Sequence, residues 1–145
     1  MRPVPLLGEI VIPPGVEEEL LRAHFLVRLP AAVRVQTLTA TASGDAAAWC
    51  DAGVLHRGEA QTIALARQIS ANFLPTNDAA ARLLAETCGL WARGSLGVVL
   101  WLAGQRRISI AAAGVHLDNL ARSSLWVSAR VLAEARAALE RIANP

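Results

Sequence analysis

The chain contains no lysine and no tyrosine; all 14 of its basic residues are arginine. That excludes a Schiff-base lysine, a tyrosine nucleophile and the lysine of a phosphate-binding P-loop. Neither Gly-x-Gly-x-x-Gly nor His-Glu-x-x-His occurs. His24, His56 and His116 stand too far apart in sequence to form a zinc motif, so each reads as a surface or capping histidine. Cys50 and Cys88 are the only cysteines and have no metal-type spacing. They read as small core residues that stay reduced. No nucleophile-elbow motif supports a Ser-His-Asp triad. Long apolar runs are also missing: the stretch from Leu96 to Gly104 is too short to span a bilayer and ends at Gln105-Arg106-Arg107. Gly8, Glu9 and Pro13 interrupt any secretory apolar segment near the start. The expectation is a soluble, cytoplasmic protein.

What is present suits one packed domain over residues 1–145, since 54% of the chain is hydrophobic. The net charge is only +2, but residues 1–60 carry five arginines against seven acids, and residues 61–145 nine against five. A mildly basic C-terminal half could hold a phosphate backbone, and solvated helix faces would account for the same count.

The pattern alternates strand and helix. "GEIVIPPG" (8–15) reads as a strand running into a turn, and "VEEELLRAHF" as a helix with Val16, Leu20, Leu21 and Ala23 on one face and three glutamates in its first turn. "AAVRVQTLTA" reads as a strand through Val33, Val35 and Leu38. "SGDAAAWCDAG" reads as a short helix capped by Ser43, Gly44 or Asp45. "GEAQTIALARQIS" is the clearest helix, with Ala60, Ile63, Ala64 and Ala66 or Arg67 forming its apolar face. A strand "NFLPT", a helix "NDAAARLLAETCG" stopped by Gly89, a brief strand "LWAR" and a helix opened by Ser95 follow. Two further helices begin at Ser109 and Ser128, with "SSLWV" between them. Such alternation predicts an α/β fold, a three-layer parallel sheet with helices on both faces. In these sheets ligands bind beyond the carboxyl ends of the strands.

Carboxylates stand at three places where that rule directs attention. Glu17, Glu18 and Glu19 follow the first strand, Glu59 opens the long helix, and Asp78 follows "FLPT". Carboxylates brought together repel one another unless a cation lies between them. Hard oxygen ligands without histidine or cysteine point to Mg²⁺ or Mn²⁺, which can promote displacement at a phosphate. The alternative is that each acid only caps a helix. Asp78 has a possible local partner in Arg82, four residues on.

Taken together, "EIVIPPGVEEELL", "HRGEAQTIALA" and "FLPTNDAAAR…AETCGLWARGSLGVVL", in that order and spacing, resemble the PIN-domain proteins. The similarity spans nearly the whole chain, and the sequence looks like a nucleic-acid-binding branch related to toxin ribonucleases of toxin–antitoxin pairs. It implies a metal-dependent ribonuclease acting on single-stranded or structured RNA, with Mg²⁺ or Mn²⁺ as cofactor. An antitoxin partner is a further implication, and self-association is expected only where a missing first strand would leave sheet edges unpaired. Residue by residue, Glu19, Glu59 and Asp78 match the family's acids and become the expected catalytic and metal-binding set. Asn77 stands where many relatives have another aspartate. Asn77, Arg82 and Ser95, the last in the "GSLG" turn, are the expected substrate-side residues. The family pattern also opens with a strand ending in Asp-Thr or Asp-Ser, which would precede Met1, so the expected fold is N-terminally truncated. Without that aspartate the remaining acids would hold metal less firmly, and the alternative is a non-catalytic module that binds nucleic acid or an antitoxin.

Overall fold

The computed structural model describes residues 7–23, 28–71, 73–123 and 127–145. The chain divides into two compact units, Met1–Ala92 and Arg93–Pro145, and each has its own core.

In the first unit, β1 (Ile10–Ile12) pairs in parallel with β2 (Val33–Val35), with Ile10 opposite Val33 and Ile12 opposite Val35. Between them in sequence lies α1 (Pro14–Arg22). Proline at its first position suits a helix start, because its ring presets φ and the missing N–H is one the helix would leave unpaired. The helix therefore begins two residues before Val16, its expected first residue. Glu17 falls in the first turn and Glu19 beyond it. Leu21 and Ala23 are exposed, so the buried face is narrower than the spacing suggested. His24 and the rest of the link to Val27 lie outside the described residues.

Helix α2 (Ala40–Asp51) also starts earlier than expected. Thr39 caps it, its hydroxyl accepting from Ala42 N–H at 3.2 Å, so Ser43, Gly44 and Asp45 lie inside the helix. Gln68 explains the early start. Its amide oxygen accepts from Thr39 N–H at 2.9 Å and its amide nitrogen donates to the Thr37 carbonyl at 3.3 Å, holding the incoming loop. Leu38 therefore leaves the strand for that loop and packs half-buried against the core.

Helix α3 (Arg57–Gln68) is the centre of the unit, burying Ala60, Ile63, Ala64, Leu65 and Ala66 while Arg67 stays exposed. It follows α2 through a turn at Gly53, whose φ of +72° favours glycine, with no strand between the two helices. β3 (Leu74–Pro75) leads to α4 (Ala79–Thr87), which ends at Gly89 (φ +78°) as expected, and β3 pairs with β4 (Ala92–Arg93) at the edge of the unit. Eight of the eleven residues in this core are alanine, the others being Leu55, Ile63 and Leu74. Cys50 and Cys88 pack half-buried against it as free thiols.

In the second unit α5 (Ser95–Gly104), α6 (Ile110–Arg122) and α7 (Ala129–Ala143) pack around Val99, Ala103, Ala113, Leu117, Ala135 and Leu139. Ser109 and Ser128 cap α6 and α7 as expected, their hydroxyls accepting from Ala112 and Val131 N–H groups. Gly94, not Ser95, occupies the N-cap position of α5, and Ser95 is its first residue. Part of "SSLWV" lies outside the described residues.

The fold is mixed α/β, with seven helices and a parallel strand pair among the described residues. Its described strands form two two-stranded sheets, where the sequence pattern had suggested one continuous sheet. Among the described residues, no helix is long and apolar enough to cross a membrane.

Candidate metal and nucleic-acid site

A cavity of about 120 Å³ opens in the first unit where α1, α3, β3 and the start of α4 meet. Val16 and Glu19 line it from α1, and Gly58, Glu59, Thr62 and Ile63 from α3. Leu74, Pro75 and Thr76 come from β3 and its end, and Ala81 from α4. Two of the lining residues, Glu19 and Glu59, are acidic and come from different helices.

Glu19 is solvent-exposed, with its carboxylate close against Gly58 of α3. Glu59, half-buried, is the third residue of α3, and its carboxylate accepts from the His56 backbone N–H at 3.3 Å. A carboxylate in a helix's first turn is favoured by the unpaired N–H groups there, which explains its place in the sequence. Glu59 reaches the cavity through the α2–α3 turn, not through the strand-to-helix junction that the alternating pattern implied. Neighbouring Glu18 pairs instead with Arg57 at 2.9 Å.

Asp78 is not among the residues lining the cavity. It is the N-cap of α4, Oδ1 accepting from Ala81 N–H at 2.7 Å, while its own N–H donates to Thr76 Oγ1 at 3.2 Å. Arg82 makes no ion pair with it. The Arg82 guanidinium donates to the Thr76 carbonyl at 3.3 Å, and its buried Nε has no hydrogen-bond partner. Asn77 is exposed at the same junction, and Ser95 belongs to the second unit. Among the described residues, no three His, Cys, Asp or Glu side chains converge as a metal-binding group.

Three lining or supporting residues were not singled out from the sequence. Thr62 borders the cavity with its hydroxyl donating to the Gly58 carbonyl at 2.7 Å. Gly58 makes room for Glu19, and Gln61 accepts from Gly15 N–H at 2.9 Å. Thr62 stands three residues after Glu59, on the same helix face, and that spacing was the available signal.

A PIN-domain family model matches residues 4–141. The chain belongs to the PIN-domain family. No curated protein and no solved structure matches it. PIN domains carry nuclease-type, nucleic-acid-related functions and generally use divalent metal ions. The donor chemistry of the cavity is compatible with such an ion. Mg²⁺ commonly keeps several waters and takes one or two protein carboxylates together with substrate phosphates, and this PIN domain offers two carboxylates with no competing histidine or thiol among the lining residues.

Proposed function

We propose that the protein is a metal-dependent ribonuclease whose centre is the Glu19–Glu59 cavity. The observation that carries this reading is that two glutamates from separate helices, Glu19 and Glu59, line one cavity of a PIN domain. Glu19 and Glu59 would hold Mg²⁺ or Mn²⁺, which when bound supplies Lewis acidity toward a phosphate. Glu59 is oriented by the His56 N–H, and Thr62 keeps its lone pairs available as an acceptor while its proton goes to Gly58. Thr76 lines the cavity with the Arg82 guanidinium bonded to its carbonyl, a cation that would favour a phosphate backbone there. Asn77 is the exposed neighbour of Thr76 on the substrate side of this reading. Asp78 contributes by fixing that junction through Oδ1, and its second carboxylate oxygen, which is not part of the cap, could still face a metal ion. The PIN-domain match supports a nucleic-acid substrate, and the resemblance of the sequence motifs to toxin ribonucleases is what suggests single-stranded RNA and a small antitoxin partner.

The capping role of Asp78 favours a second reading, a non-catalytic module that binds nucleic acid or an antitoxin. One assay separates the two. Purified protein should cleave single-stranded RNA with Mn²⁺ or Mg²⁺ and stop on addition of EDTA. Glu59→Gln or Glu19→Gln should lower the rate at least ~100-fold, by analogy with the loss of one oriented electrostatic group. RNA binding without cleavage establishes the module, and cleavage that survives both substitutions and EDTA removes the metal reading.

A further inference from the structure

Two glycines occupy equivalent places on helices that meet at the cavity. Gly15 is the second residue of α1 and Gly58 the second residue of α3. Each is covered by a polar side chain from the other helix. A Cβ on Gly15 would lie 2.6 Å from Gln61 Oε1, the atom that accepts the Gly15 N–H at 2.9 Å. A Cβ on Gly58 would lie 2.5 and 2.9 Å from the two carboxylate oxygens of Glu19 and 3.0 Å from its Cδ. Real side chains do not sit that close, so a larger residue at either position would make the tip of the Gln61 or Glu19 side chain shift from where it rests. The reason is close approach and not backbone conformation, since neither glycine has a positive φ.

We propose that Gly58 and Gln61 are positioning residues for Glu19: Gln61 fixes the first turn of α1 against α3, and Gly58 seats the Glu19 carboxylate beside Glu59. The proposal rests on the reading of this cavity as a metal centre for its purpose, though not for its geometry. Glu19 is exposed on α1, and an exposed glutamate ordinarily samples many rotamers. Gly58, by contrast, is buried, so the carboxylate lies against a surface that a single methyl group would fill. Glu19 stands one helical turn beyond Gly15, the residue that Gln61 holds. One contact therefore ties the helix that carries Glu19 to α3, and the other leaves room for its carboxylate against that helix. Two ligands held before the ion arrives need less ordering when it binds.

A cycle of variants tests this with two independent readouts. In urea unfolding, Gly58→Ala in a Glu19→Ala background should raise the midpoint, because alanine loses less chain entropy than glycine in a helix. With Glu19 present the same change should raise the midpoint by less, because the carboxylate must shift from its place. Equal shifts in both backgrounds overturn the seat. Should Gly58→Ala alone fail to fold, recovery in the double variant supports the seat and failure to recover overturns it. In Mn²⁺ binding followed by electron paramagnetic resonance, Gly58→Ala and Gln61→Ala should each weaken affinity about tenfold while Glu59 is intact. Gly58→Ala should add nothing once Glu19 is already alanine. Wild-type protein that binds Mn²⁺ alongside an equally tight Gly58→Ala variant overturns the positioning role and leaves the metal reading intact. Wild-type protein that binds no Mn²⁺ but shows the coupled urea shifts removes the metal reading and leaves the seat.

Discussion

At Asp78 one side chain serves the fold, whatever it adds to chemistry. Its Oδ1 accepts from Ala81 N–H and satisfies one of the donors that a helix start leaves unpaired. Asp78→Ala should cost about 0.5–2 kcal/mol in urea or thermal unfolding, whereas Asp78→Asn should cost little, because asparagine caps as well as aspartate. The pair also separates charge from capping: an Asp78→Asn protein of normal stability but much reduced RNA cleavage would show that the carboxylate acts on the substrate or metal. The residue types at this junction were legible in the sequence. Their allocation was not, because Thr76, Asn77 and Asp78 can each serve a cap or a ligand, and only coordinates show Asp78 bonded to Ala81 and Arg82 turned to the Thr76 carbonyl. Gly58 hid for a different reason. A glycine inside a helical pattern reads as a small loss of stability, and the carboxylate that rests on it comes from 39 positions earlier in the chain.

Helix ends show where pattern reading succeeds and where it runs out. Four helices close in the same way, with paired backbone bonds bending the chain back over the last turn. At α2 the bonds are Gly53 N–H to Cys50 O and Val54 N–H to Trp49 O, and at α4 they are Gly89 N–H to Glu86 O and Leu90 N–H to Ala85 O. At α3 Ser70 and Ala71 donate to Arg67 and Ala66, and at α5 Arg106 and Arg107 donate to Ala103 and Leu102. The first two ends carry glycine at the left-handed position, and the stop at Gly89 could be read directly. The other two carry Ser70 (φ +51°) and Arg106 (φ +56°), where a side chain crowds the backbone. Ser70→Gly and Arg106→Gly should each stabilise the protein by about 1 kcal/mol, measured as a higher urea midpoint with unchanged slope. No gain at either site would mean that the side chain makes up the strain through other contacts. Helix starts divide in the same way: Ser109 and Ser128 could be read as caps, whereas the opening of α2 depends on Gln68 reaching back to Thr37 and Thr39 from the far end of α3.

At the scale of the whole molecule, charge is divided as the fold is. The unit Met1–Ala92 holds seven arginines and nine carboxylates, a net of −2, and Arg93–Pro145 holds seven arginines and three carboxylates, a net of +4. The half-by-half count made from the sequence pointed this way, but the unit boundary was not visible there, because no linker composition marks residue 92. Nor did short strands reveal that they would form two pairs: a run of two or three residues carries too little periodicity to fix its neighbours. If the basic unit holds RNA, affinity should fall steeply with salt. Replacing the exposed Arg106 and Arg107 by glutamine should then reduce the slope of log affinity against log salt by about 1.4, at roughly 0.7 per released counterion on a single strand. Arg34→Gln, which removes a charge already paired with Glu9, is the control and should leave the slope unchanged. The alanine-rich core of the first unit carries an implication for how this lineage can change. Where most buried positions are already alanine, drift has few methyl groups left to remove, and each enlargement must wait for a helix to move outward. Neutral variation in that unit should therefore gather on its surface, while its interior admits new residues only in compensating pairs.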